Sequence, residues 1–253
     1  MPLLKFAKNY VVAAAGTAYA FTAGVAQFKH RNFIRDVAKR FGVDDAPRGS
    51  LPVLSIDRIT SAHTAVVLAE PGHVNGNVSL LELLVIARLV RESRPSSIFE
   101  IGTFDGRTTL NLAENAPEAR VYTLDLPRAA TTKIELDPDD RVYVEKDISG
   151  ARFVGTEIGT RITQLYGDSA TFDYAPYPSD FVFVDGAHSY EYVLSDSAAA
   201  FGMLPNGRGT IVWHDYGAWE GVTRALSELR LNDKRFAGLV SVEGTTLALL
   251  TLR

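Results

Sequence analysis

At 253 residues, with 46% hydrophobic and 22% charged residues, the chain is long enough for one main α/β domain with an appendage, or for two small domains. A formal charge of -4 gives no electrostatic basis for a nucleic-acid partner. The lack of cysteine excludes a disulfide framework, a thiolate zinc site and a cysteine nucleophile, is compatible with a reducing cytoplasm, and leaves oxygen or imidazole as the only ligands for a metal.

The first element in chain order is Tyr10–Phe28, YVVAAAGTAYAFTAGVAQF, which carries no formal charge, with Lys5 and Lys8 before it and Lys29, His30, Arg31 and Arg35 after it. Its length suffices for a membrane span. Its alanine, glycine, threonine and glutamine stand where a span is rich in leucine, isoleucine and phenylalanine. A secretory signal fits poorly, because no compact leucine-rich core leads into a small-residue cleavage site. The composition favours a helix packed closely through Gly16, Ala20 and Gly24, against its own domain or in a homo-oligomer, and leaves membrane association through residues 10–28 open. FIRDVAKRFG then reads as an amphipathic continuation ending at Gly42 and VDDAPRGSLP as a linker, so a helical appendage is expected over residues 1–52 and the main domain over 53–253.

In GNVSLLELLVIARLVRESRP, Asn77 or Ser79 is a helix cap, Leu80, Leu83, Leu84, Ala87 and Val90 share one helix face, and Pro95 closes the element. Short apolar runs then alternate with helix-like segments: SIFEIG, RVYTLDL, RITQLYGDS, DFVFVDG and GTIVWHD. Continuous apolarity predicts strands buried on both faces, and the alternation predicts a doubly wound α/β fold with a mostly parallel sheet. FAGLVSV and TLALLTL are close enough for a hairpin, bringing the sheet to seven strands with an antiparallel strand at its end.

Ligands of such sheets sit at the carboxyl ends of the strands, where this sequence presents Glu100, Asp125, Asp168, Asp185 and Asp215. Recurrent acids there suit a polyhydroxylated or cationic ligand. Gly102 and Gly106 permit a sharp turn and close backbone approach. Phe104 and Arg107 stand where a dinucleotide fingerprint needs its second and third glycines, which weighs against a nicotinamide-dependent enzyme. E-x-G-x-x-x-G followed by Asp125 suits a ligand with a ribose and no pyrophosphate.

With FVFVDGAHSYEYVLSD, GTIVWHDY and GVTRALSEL, these motifs make residues 77–253 resemble class I S-adenosylmethionine-dependent methyltransferases, and more narrowly the small-molecule O-methyltransferase-like group of bacterial sugar and natural-product pathways. The resemblance implies a Rossmann-like methyltransferase fold and S-adenosyl-L-methionine as cofactor. It places Glu100, Gly102, Thr103 and Gly106 around the amino-acid end and ribose, Asp125 on the ribose hydroxyls, Asp168 and Ser169 at the adenine, and Asp185 also beside the cofactor. For Asp168, local sequence equally allows a plain Gly-Asp-Ser turn.

Methyl transfer to an alcohol needs a base, a metal that acidifies the hydroxyl, or both. Two dyads stand at neighbouring strand ends, Asp185 with His188 and His214 with Asp215. The candidate catalytic residues are His188, favoured as the base for an expected near-neutral pKa, Asp185 and His214. In metal-dependent relatives the acids at these two strand ends bind magnesium, helped by an acid or amide after the second. Here that neighbour is Tyr216, so Asp185 and Asp215 are candidate ligands for magnesium, or with a histidine for manganese or zinc. Tyr190, Trp213, Tyr216 and Trp219 read as crevice or core aromatics, and Glu220 and Arg224 as substrate selectors or an exposed helix pair. The long crossover from Pro127 to Arg161, with its ELDPDDR stretch, is a lid or a solvated acidic loop. The expected acceptor is a small molecule with a free hydroxyl. A second reading is a non-catalytic cofactor-binding or assembly protein held at a membrane or in an oligomer by the N-terminal helix.

Overall fold

The structure is a computed structural model that describes residues 3–27, 30, 34, 37, 41, 49–72, 76–128, 130–137 and 140–253. Most of the expected amphipathic continuation to Gly42 and most of the expected linker lie outside the described residues. Two compact units are present, residues 1–46 and 47–253, so residues 47–52 of the expected linker fall within the larger one.

In the smaller unit α1 (Leu3–Ala20) leads into a single 3-10 turn, Ala23–Ala26. A Cβ on Gly24 would lie 2.9 Å from the Tyr19 carbonyl oxygen and 2.6 Å from the His30 ring, whereas Gly16 faces open space. Among the described residues no helix is long and apolar enough to cross a membrane.

The larger unit is built on an eight-stranded sheet in the order β1-β7-β8-β6-β5-β2-β3-β4. Its strands are β1 (Val53–Leu54), β2 (Ser97–Ile101), β3 (Arg120–Asp125), β4 (Ile162–Tyr166), β5 (Phe181–Val184), β6 (Gly209–Trp213), β7 (Val240–Val242) and β8 (Ala248–Leu252). The expected strands are all present. The eighth, β1, is only two residues long and pairs parallel with β7, so no local apolar run announces it. The antiparallel strand β8 is interior, between β6 and β7, rather than at the sheet's end.

Residues of β2 and β5 alternate between two cores. Phe99, Ile101, Val182 and Val184 pack on one side of the sheet, and Ile98, Phe181 and Phe183 on the other. Both faces are therefore covered, which is why the strands read as unbroken apolar runs. Helix α2 (Leu80–Ser93) starts in a capping box, with Ser79 accepting from the Glu82 amide and Glu82 from the Ser79 amide. It ends at Arg94 in the left-handed region, immediately before Pro95. The remaining long helices are α3 (Arg107–Asn115), α4 (Tyr190–Met203) and α5 (Glu220–Asn232).

The chain leaves β2 for β3 on one side, while β5 and β6 lie on the other. Such a reversal opens a crevice at the carboxyl ends of the central strands. All five of β2 to β6 run parallel, so the chain segments leaving them emerge at one edge of the sheet.

Candidate functional site

The turn after β2 is left-handed at three positions: Gly102 (φ +98), Phe104 (φ +50) and Gly106 (φ +84). The Gly102 amide donates to the Leu124 carbonyl at 2.9 Å and the Asp185 amide to the Ile101 carbonyl at 2.8 Å, which ties the ends of β2, β3 and β5 together. Gly106 has a different reason to be glycine. A Cβ there would stand 2.7 Å from the Gly150 Cα and from the Phe153 ring, so residue 106 makes room for the far end of the 127–161 crossover.

Glu100 sits one residue inside the end of β2 and is fully buried. Its Oε2 accepts from Thr109 and, at 2.5 Å, from Thr123. Its Oε1 has no hydrogen-bond partner among the described residues. Burial, reinforced by the negative charges of Asp185 and Asp125, outweighs the two threonine bonds and pushes its pKa up to about 8. The Thr103 hydroxyl points inward as well, bonded to Thr123 at 2.7 Å and accepting from Gln164 at 3.0 Å, so a ligand in the crevice meets residue 103 through its backbone.

This raised pKa makes stability depend on pH in a defined sense. Between the unfolded value near 4.5 and the folded value near 8, the folded chain keeps a proton that the unfolded chain releases. Stability is therefore expected to fall as pH rises across that window and to level off above it. Melting curves from pH 5 to 9 should show a flatter profile for Glu100→Gln than for the wild type. Asp196, pushed up to about 7 by burial, contributes equally to both curves, so their difference isolates Glu100.

Asp125 ends β3 and is buried; Lys146 approaches its Oδ2 at 2.8 Å, and Ser149 donates to the same oxygen. Asp168 forms the turn that its sequence suggests, accepting from the Ala170 amide at 3.0 Å. Its carboxylate also takes the Lys133 amide at 2.7 Å and the Tyr192 hydroxyl at 2.8 Å.

Beyond β5 and β6 lies a chain of acids and imidazoles. His214 Nδ1 is 3.0 Å from both Asp185 Oδ1 and Asp215 Oδ2, and its Nε2 is 3.4 Å from Glu82 Oε2. His188 Nε2 is 2.8 Å from the same Asp215 oxygen, and its Nδ1 is bonded to Asp140. The other Asp140 oxygen accepts the His188 amide at 2.9 Å, and the Trp219 indole stacks flat on the imidazole with centroids 4.2 Å apart. Asp215 is itself left-handed (φ +66).

Burial disfavours the charged form of both histidines, but the flanking carboxylates win. His188 is pushed up to about 10 by Asp140 and Asp215, and His214 well above its ordinary value by Asp215 and Asp185. Burial likewise opposes ionisation of Glu82 and Asp215, yet His214, with His188 for Asp215 and the Thr246 and Ser79 amides for Glu82, holds both well below the usual carboxylate range. A near-neutral His188, expected from sequence, is thus not what this enclosure produces.

Asp185, His188 and Asp215 offer ligand atoms that all lie within 4.8 Å of one another. Two carboxylates and one imidazole fit a divalent cation, and the nitrogen donor suits manganese or zinc better than magnesium. The strand-end acid Asp125 beside a turn tied closely to backbone fits a ribose-bearing cofactor without a pyrophosphate.

The aromatics divide. Trp213 is core, donating to Ser197 at 3.0 Å, and Tyr216 turns inward to accept the Leu51 amide at 2.8 Å, which removes it from the crevice. Arg224 pairs with Glu228 at 3.0 Å rather than with Glu220, and lies over the Tyr190 ring. Glu82, Asp140, Lys146 and Ser149 were missed by sequence reasoning. The Ser79-x-x-Glu82 spacing is the local signal that could have found Glu82, and Asp140 stands in the sequence only as part of an acidic stretch.

Residues 99–216 match the family described as a methyltransferase domain. No curated protein matches the chain. The O-methyltransferase TomG from Streptomyces achromogenes, involved in tomaymycin synthesis and solved with S-adenosylmethionine, is similar in structure at 18% identity and a TM-score of 0.50, over 87% of this chain and 97% of that one. The S-adenosylhomocysteine-bound methyltransferase PaMTH1 from Podospora anserina is similar at 17% identity and a TM-score of 0.48, over 71% and 81%. The matched segment runs from within β2 to just past β6 and contains the glycine turn and the acidic strand ends. The chain thus contains a segment similar to a methyltransferase domain, on a fold similar to that of the O-methyltransferase TomG.

Proposed function

We propose that the protein methylates a hydroxyl of a small molecule of the sugar or natural-product type. The observation that carries this reading is the union of Asp185, His188, His214 and Asp215 in one part-buried acid–imidazole chain beyond β5 and β6, at the sheet edge where Asp125 ends β3. A sulfonium leaves as a neutral group, so the chain's work is to align the acceptor and accept its proton.

S-adenosylmethionine, when bound, supplies an electrophilic methyl group. The backbone of Gly102, Thr103 and Gly106, with Glu100 beneath the turn, would seat its amino-acid end; Asp125 would accept from the ribose hydroxyls, and Asp168 with Ser169 would lie at the adenine. A divalent cation held by Asp185, His188 and Asp215 would lower the pKa of an acceptor hydroxyl. Where no cation takes its Nε2, His188 is the proposed base. Loss of the Asp215 contact at Nε2 removes one of the two carboxylates that keep the ring protonated, so the imidazole can release its Nε2 proton and then take that of an acceptor hydroxyl, while Asp140 keeps the ring oriented through Nδ1. His214, set between Glu82 and the two aspartates, holds those carboxylates in register. The cysteine-free composition accords with a cytoplasmic location, and the N-terminal helix offers a face for self-association or membrane contact.

Calorimetric titration with S-adenosylhomocysteine, with and without magnesium or manganese, tests the cofactor half of this reading. The wild type should bind, and Asp125→Ala should bind roughly 100-fold more weakly, the worth of two hydroxyl bonds to a carboxylate. Equal affinity in the variant would remove Asp125 from the ribose seat.

A further inference from the structure

We infer that Lys146 sets the cofactor affinity of this protein, by holding Asp125 in a latch that the ribose must displace. The inference rests on the reading of Asp125 as the ribose acceptor.

The 127–161 crossover is the long connection that the sequence left as a lid or a solvated loop, and its contacts run along the whole crevice. Near one end the Lys133 amide occupies an Asp168 oxygen. In the middle Asp140 grips His188, and the Tyr143 ring stands edge-on to Phe104 at 5.8 Å. Further on, Lys146 and Ser149 take Asp125, the Gly150 amide donates to the Phe104 carbonyl at 3.0 Å, and Arg152 pairs with Asp105 at 3.2 Å and Glu70 at 2.8 Å. The crossover thus touches the positions assigned to adenine, to ribose and to the base.

At Asp125 the chemistry is exclusive. Both donors converge on Oδ2, and a carboxylate oxygen has two lone-pair directions. A ribose diol gripped by both carboxylate oxygens needs Oδ2 as well as Oδ1, so at least one of the two donors must leave. Lys146 is no casual neighbour. Its side chain is 13% exposed, that of Asp125 is 7% exposed, and Nζ also donates to the Tyr143 carbonyl at 3.0 Å, which ties the helical turn Arg141–Val144 into the same contact. The ammonium therefore neutralises the acid and anchors the lid over it. Apparent affinity is the intrinsic affinity multiplied by the fraction of unlatched chain. Removing the ammonium raises that fraction and leaves Asp125 an enclosed acceptor seeking donors.

The test is S-adenosylhomocysteine titration of the full chain as wild type, Lys146→Met, Ser149→Ala, Asp125→Ala and the Asp125→Ala/Lys146→Met double variant. Lys146→Met should bind about tenfold more tightly, as expected for a latch closed in roughly nine chains of ten. Ser149→Ala should move affinity the same way by less, and keeps the test decisive if Lys146→Met fails to fold. In the Asp125→Ala background the methionine should change nothing. Unchanged or weaker binding by Lys146→Met, with Asp125→Ala weakened, would overturn the latch alone. Unchanged binding by Asp125→Ala would overturn the ribose seat and the latch with it.

Discussion

Gly102→Ala is expected to cost about 4 kcal/mol of stability or to prevent folding, because two penalties coincide at that position. Residue 102 has φ +98, outside the range that a side chain accepts comfortably, and a Cβ would stand 2.0 Å from the Asp185 carbonyl oxygen and 2.6 Å from its carbon. Neither atom can yield without cost. The Asp185 amide is bonded to the Ile101 carbonyl and the Gly102 amide to the Leu124 carbonyl, so any shift pulls apart the ends of β2, β3 and β5. For a domain of this size that loss lowers the melting temperature by roughly 10 °C. Gly155→Ala is the control, since its φ is +78 but open space surrounds it. It should cost about 1 kcal/mol, the left-handed strain alone. A Gly102→Ala protein melting level with Gly155→Ala would show that the close approach does not govern the site.

Glu82→Ala should be nearly as damaging, at about 3–5 kcal/mol, although the residue looks like an ordinary helix cap. Its Oε1 accepts the Thr246 amide at 2.7 Å and the Thr246 hydroxyl at 2.8 Å, and its Oε2 accepts the Ser79 amide at 2.7 Å and faces His214 Nε2 at 3.4 Å. One carboxylate therefore joins the start of α2, the loop before β8 and the acid–imidazole chain. Removing it strands two amides and leaves the His214 imidazolium without one of its three anions. Ser79→Ala removes only the other half of the capping box and should cost about 1 kcal/mol. If thermal unfolding gave equal losses for the two variants, Glu82 would be a cap and nothing more. Metal titration adds a second readout: His214 contacts both Asp185 and Asp215, so loosening it should weaken manganese binding at the candidate centre even in molecules that remain folded.

The architecture was legible because its strands are buried on both faces, and a buried parallel strand writes itself as a short unbroken apolar run between turns. SIFEI, RVYTLD and FVFV are such runs, and the cap expected at Asn77 or Ser79 proves to be Ser79. β1 was illegible for the opposite reason: two residues pair with β7 and leave no period to count. The placement of β8 between β6 and β7 was equally hidden, since a hairpin signal says that two strands pair and not which of them meets the rest of the sheet.

By itself, the sequence determined the doubly wound fold, the glycine turn after β2 and the acids that follow the strands, because each depends on residues within a few positions of one another. Only the tertiary structure decided what those acids do. Glu100 is enclosed with a raised pKa, Asp125 is taken by Lys146, and His188 is clamped between Asp140 and Asp215. Charge state is set by neighbours, and here the neighbours are distant in sequence: 48 residues separate Asp140 from His188, and 132 separate Glu82 from His214. No local pattern encodes such pairs. They exist because the sheet brings the ends of its strands to one edge and the crossover folds back across them, where burial strengthens every contact between charges.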